Sequence, residues 1–128
     1  MQSVAGLIEP EIFGMTNERI LDISPDVYLA TVLENYLAKC LEITAIDDLS
    51  LLVNYNEGPM PGLQKIATFC RMKVSEADLE KMHERSLFHS KQPNKRFHED
   101  EIKNTPPCLD KAMELYNELE EKRKNRDI

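Results

Sequence analysis

Tryptophan is absent from this chain of 128 residues, and aromatic residues make up only 6% of it. A core must therefore be built from aliphatic side chains and six methionines, whose flexible thioethers fill irregular gaps. No CxxC pair is present; Cys40, Cys70 and Cys108 are widely and irregularly spaced. That excludes a zinc knuckle or a thioredoxin-like motif and predicts three reduced thiols that pack as small apolar groups. No run approaches the roughly 20 apolar residues of a membrane span. Met1 to Gly14 has neither the basic start nor the apolar run of a secretion signal. A cytoplasmic protein with no membrane partner is expected. Positive charge is scarce as well: 16 Lys and Arg stand against 23 Asp and Glu, a net charge of -7. Binding of nucleic acid through the overall field is excluded, so any anion site has to be a local basic patch.

Glycine is equally sparse. Gly6, Gly14, Gly58 and Gly62 are the only four, and none is followed by the lysine and hydroxyl residue of a nucleotide-binding loop. Gly58 and Gly62 flank a turn, but Pro59 and Pro61 remove two of the amides that would cradle phosphate. His83, His89 and His98 include no pair one helical turn apart, so no metal site is expected. Ser24 and Ser75 read as helix caps and no serine sits in a nucleophile elbow, so no catalytic residue is assigned.

What is present reads as mainly α with one buried strand. One domain or part of one suits the length. Thr16 to Ile23 predicts a short helix capped by Thr16. Ser24-Pro25-Asp26 opens the clearest helix, running to about Thr44 or Ile46. Its expected inner face is Val27, Ala30, Leu33, Leu37, Cys40, Leu41 and Thr44. Leu49 to Tyr55 is almost continuously apolar and predicts a strand buried on both faces. A helix is expected over 62–71, and another from the Ser75 to Asp78 capping pattern to near Phe88. The polar stretch from His89 to Asn104 predicts a loop. Thr105-Pro106-Pro107 opens the last helix, with Leu109, Ala112, Met113, Tyr116 and Leu119 as its stripe and a solvated, fraying end over Glu120 to Asp127. The lone strand needs neighbours for its backbone groups, and the chain supplies no obvious second strand. This suggests a fragment of a larger sheet.

Arg85 to Asp100 concentrates Arg85, Lys91, Lys95 and Arg96 in an otherwise acidic chain, with Phe97 beside them. Such a segment can clamp an anionic nucleotide, the cations on phosphate and the ring on a base. Composition leaves open a solvated loop balanced by Glu99, Asp100 and Glu101.

Three segments in order resemble the carboxyl-terminal half of bacterial sulfotransferases that use 3′-phosphoadenosine 5′-phosphosulfate (PAPS). They are Gly6-Leu7-Ile8-Glu9-Pro10-Glu11-Ile12-Phe13-Gly14 with the Ser24-Pro25 helix; Leu51-Leu52-Val53-Asn54-Tyr55-Asn56-Glu57 leading to a helix that ends in Phe69; and Met82, His89-Ser90-Lys91-Gln92-Pro93, Phe97 and Asp100. The resemblance spans most of residues 4–119. It implies a fragment of a P-loop α/β three-layer fold, with Leu49 to Tyr55 as one strand of its parallel sheet. It also implies that the loop from Lys91 to Phe97 closes over the donor, with Lys91 on phosphate and Arg96 and Phe97 beside it. Gly6 to Gly14 and the first long helix would shape the acceptor side. The chain departs from the family at Ala5, where a proline is common, and in a longer Pro59 to Gly62 turn. The family's phosphosulfate loop, and the strand and helix whose arginine and serine hold the 3′-phosphate, have no counterpart here. The expected function is thus a carboxyl-terminal part of a sulfotransferase, inactive alone and completed by an amino-terminal half or by self-association. The alternative is a stand-alone helical module that binds a protein or phosphorylated ligand.

Overall fold

A computed structural model describes residues 10–16, 18, 22–98 and 104–126. Its backbone forms two compact units. The first comprises the described residues of Met1–Ser50 and Asn104–Ile128, the second those of Leu51–Lys103. The architecture is mainly helical, with no strand among the described residues.

In the first unit, α1 (Pro25–Ile46) begins where expected: the Ser24 hydroxyl accepts from the Val27 amide at 3.4 Å, and Pro25 takes the first turn. At that position the missing N–H of proline costs nothing. The face that α1 buries differs from the expected one. Ala30 and Thr44 are buried as foreseen, but Tyr28 and Val32 join them, while Val27, Leu33 and Cys40 are exposed. The reason is the 3-10 turn Pro10–Phe13, which lays Phe13 and Met15 against Tyr28 and Val32 and so draws a neighbouring stripe of the helix inward. The Asn35 amide secures this arrangement by donating to the Phe13 carbonyl at 3.1 Å. Residues 17 and 19–21 of the short helix expected over 16–23 lie outside the described residues.

After a 3-10 turn at Pro107–Leu109, α4 (Asp110–Arg126) packs on α1 and buries Ala112 and Leu119. The two helices run in the same sense, since Lys111 meets Glu34 at 3.6 Å and, further along both, Arg126 meets the Thr44 carbonyl. The fraying end expected from Glu120 is not observed over the described residues: the helix continues to Arg126, and Arg123 is buried at 6% exposure. Polar contacts, which an apolar stripe does not record, hold this end. Arg123 donates to both Glu120 carboxylate oxygens at 2.9 Å, and Arg126 donates to the Ser50 carbonyl and hydroxyl at 3.2 and 3.1 Å.

In the second unit the expected strand at Leu49 to Tyr55 does not form. Residues 51–54 are irregular, and Tyr55–Glu57 is a 3-10 turn. Asn54 keeps an extended backbone, but no described strand pairs with the segment, and a strand is defined by that pairing. Nor is it buried on both faces: Leu49 is 83% exposed and Leu51 and Leu52 are half-buried. Val53 lies against α2 (Pro59–Phe69), where a Cβ added to Gly62 would come within 3.1 Å of its side chain. α2 starts three residues earlier than expected because both Pro59 and Pro61 fit the first helical turn. A half-buried ion pair at 3.1 Å between Lys65 and Glu57 ties the helix to the preceding turn.

The end of α2 is a Schellman motif: the Met72 amide donates to Ala67 at 2.8 Å and the Arg71 amide to Thr68 at 3.0 Å. The residue in the left-handed position is Arg71, with φ 54°, where glycine is the usual occupant. Arg71→Gly is therefore expected to raise stability by about 0.5–1 kcal/mol, the relieved Cβ strain exceeding the added unfolded-state entropy. A higher urea midpoint with unchanged slope would record this; a lower midpoint would mean that the arginine side chain contributes more than its backbone loses.

Candidate functional site

α3 (Glu76–Ser86) is fixed at its start by Ser75, whose hydroxyl accepts from the Asp78 amide at 3.2 Å and donates to the Asp78 carboxylate at 2.6 Å. It packs on α2. The helical period then places Lys81 and Arg85 one turn apart, with Met82 and Ser86 on the adjacent row.

The described part of the polar stretch after α3 is a loop, as expected, and it folds back on itself into a closed turn. Phe88 and Arg96 form an antiparallel bridge. The His89 amide donates to the Lys95 carbonyl at 2.8 Å and the Phe97 amide to Leu87 at 3.1 Å. Within the turn, Gln92 donates to His89 at 3.2 Å and Lys95 to Gln92 at 2.9 Å. His89 Nδ1 accepts from the Lys91 amide at 3.2 Å, and Arg85 Nη2 donates to the Ser90 carbonyl at 3.3 Å. The turn is thus anchored to α3 by the Arg85 guanidinium.

Of the residues singled out from the sequence, Lys91, Arg96 and Phe97 all lie on this turn with exposed side chains. Phe97 sits beside His89, ring centroids 6.3 Å apart. Lys91 and Lys95 are exposed on the same turn. The balancing acids Glu99, Asp100 and Glu101 lie outside the described residues. Gly6 to Glu9 of the expected acceptor-side segment lies outside them too, and its Phe13 is a core residue. Among the described residues no group of three His, Cys, Asp or Glu could hold a metal ion. No described helix is long and apolar enough to cross a membrane.

Beside the turn lies a groove of about 470 Å³ whose lining includes Leu63, Lys81, Met82, Arg85, Phe88 and Ser90. Sequence reading found Arg85 but missed Lys81, because the basic segment was bounded at Arg85. The signal was available in the four-residue spacing of Lys81 and Arg85 on a capped helix. Leu63 could not be found in this way, because only the packing of α2 on α3 brings it there.

No family model, curated protein or solved structure matches the chain.

Proposed function

We propose that the chain is the carboxyl-terminal part of a PAPS-dependent sulfotransferase, that its closed basic turn contributes to holding the donor nucleotide, and that it is incomplete as a catalyst. The observation that carries this reading is the turn itself. Lys91, Lys95, Arg96 and Phe97 are exposed together on a backbone held by its own hydrogen bonds. Cations on a preformed turn can meet phosphate at little ordering cost. The exposed apolar surface adds support. Leu29, Leu33, Tyr36 and Ile43 form an exposed row at helical spacing on α1, and Leu49 is left uncovered after it. A missing half, or a second copy, would cover such a row. Sulfuryl transfer needs in-line geometry and several donors on the leaving phosphate; one basic turn does not supply them, and no catalytic base is assigned.

A second reading, a free-standing helical binding module, is favoured by the helix ends. Ser24, Ser75 and Arg126 satisfy them from within the chain.

Calorimetric titration with 3′-phosphoadenosine 5′-phosphate at low and moderate salt tests the nucleotide role. Binding is expected to weaken with salt and to fall about 10-fold or more in Lys91→Ala, the loss of one charge-assisted phosphate contact. Absence of binding, or binding that Lys91→Ala leaves intact, would remove the assignment of Lys91 and of the nucleotide to this turn.

A further inference from the structure

The groove on α3 joins an apolar lining to two cations in an otherwise acidic protein. Its floor is apolar: Leu63 comes from α2, Met82 from α3 and Phe88 from the closing bridge. Its wall carries Lys81 and Arg85. These like charges lie at i and i+4, a spacing that disfavours the helix. Among the described residues neither makes an ion pair with a carboxylate, and Arg85 spends one donor on the Ser90 carbonyl. At about 470 Å³ the space falls within the ordinary range for one small ligand, about 300–1,000 Å³.

We propose that this groove binds a single amphipathic anion, an alkyl or aryl chain ending in sulfate, phosphate or carboxylate, with the chain on Leu63, Met82 and Phe88 and the anionic head on Lys81 and Arg85. The occupant is a free monomer in a concave site, not a lipid surface. The groove borders the nucleotide turn, which supplies Phe88 and Ser90 to it, but Lys91, Arg96 and Phe97 are not part of its lining. It therefore stands or falls independently of the sulfotransferase reading. Apolar area supplies the attraction and the cations fix which end enters where, so neither half of the ligand should suffice alone.

The test is an amide chemical-shift titration with hexyl sulfate below its micelle concentration, with hexanol and inorganic sulfate alongside. Hexyl sulfate is expected to shift amides around Met82 and from Ser86 to Ser90, binding about 10-fold or more tightly than either half-ligand. Lys81→Gln, which removes no side-chain hydrogen bond among the described residues, is expected to weaken it several-fold, and Lys81→Gln with Arg85→Gln by about 10-fold or more. Lys91→Ala should leave it unchanged. Equal binding of hexanol, shifts centred on Leu29 and Leu33 of α1, insensitivity to Lys81→Gln, or association only with phosphatidylglycerol vesicles would each overturn the proposal.

Discussion

Tyr28→Ala is expected to remove about 3–5 kcal/mol of stability, while Tyr28→Phe is expected to add about 1 kcal/mol. Tyr28 is 6% exposed in a small cluster with Phe13, Met15 and Val32, and Ile23 packs against that cluster. Truncation to alanine leaves a ring-sized void where α1 meets the 3-10 turn, and a void in a close-packed core forfeits contacts that relaxation only partly restores. A folded protein of ordinary stability has about 5–15 kcal/mol in total, so this variant gives up a large share of that margin. The phenol oxygen behaves in the opposite way. It is buried with no hydrogen-bond partner among the described residues. A buried hydroxyl that has given up water without compensation costs free energy, and phenylalanine keeps the ring while removing that cost. Urea unfolding of the two variants beside the parent checks both signs. A loss of stability in Tyr28→Phe would show that the hydroxyl does find a partner.

The helices were legible because their signals are local. Ser24-Pro25-Asp26 and Ser75 to Asp78 each specify a start through a side chain that meets an amide three residues on, and both starts are where those residues put them. Leu49 to Tyr55 was misread for the converse reason. An apolar run records only that side chains prefer cover. Whether the backbone becomes a strand depends on a partner elsewhere, and among the described residues no such partner exists. The basic segment was legible as composition and not as shape. Nothing in the order His89-Ser90-Lys91-Gln92-Pro93 announces that Phe88 and Arg96 will bridge and close the turn. The groove needed the packing of α2 on α3, which the helical period of either alone does not encode.

Arg126→Ala is expected to cost about 1–2 kcal/mol and to loosen the far end of α1, although it lies in the segment that the sequence marks as a solvated tail. α1 and α4 run in the same sense, so their carboxyl ends and the partial negative charges of their last carbonyls lie at one end of the unit. α1 has no basic residue in its last turn, whereas α4 has Arg123, Lys124 and Arg126 in its own. Arg126 reaches across to the Thr44 carbonyl and to Ser50, supplying α1 with the donor that its own sequence lacks. The neighbouring Arg123 acts differently. It is buried and forked onto Glu120. Glu120→Ala removes two charge-assisted hydrogen bonds from a buried cation, at an expected cost of about 1.5–3 kcal/mol. The two effects separate in hydrogen exchange. Arg126→Ala should speed exchange at Asp47, whose amide donates to Ile43 at the end of α1, and leave the middle of α4 protected. Glu120→Ala should speed exchange along the last turns of α4. If Arg126→Ala changed neither stability nor exchange at Asp47, the contact would be an ordinary surface pairing that adds nothing to the Asp47 amide and Thr44 hydroxyl already closing α1.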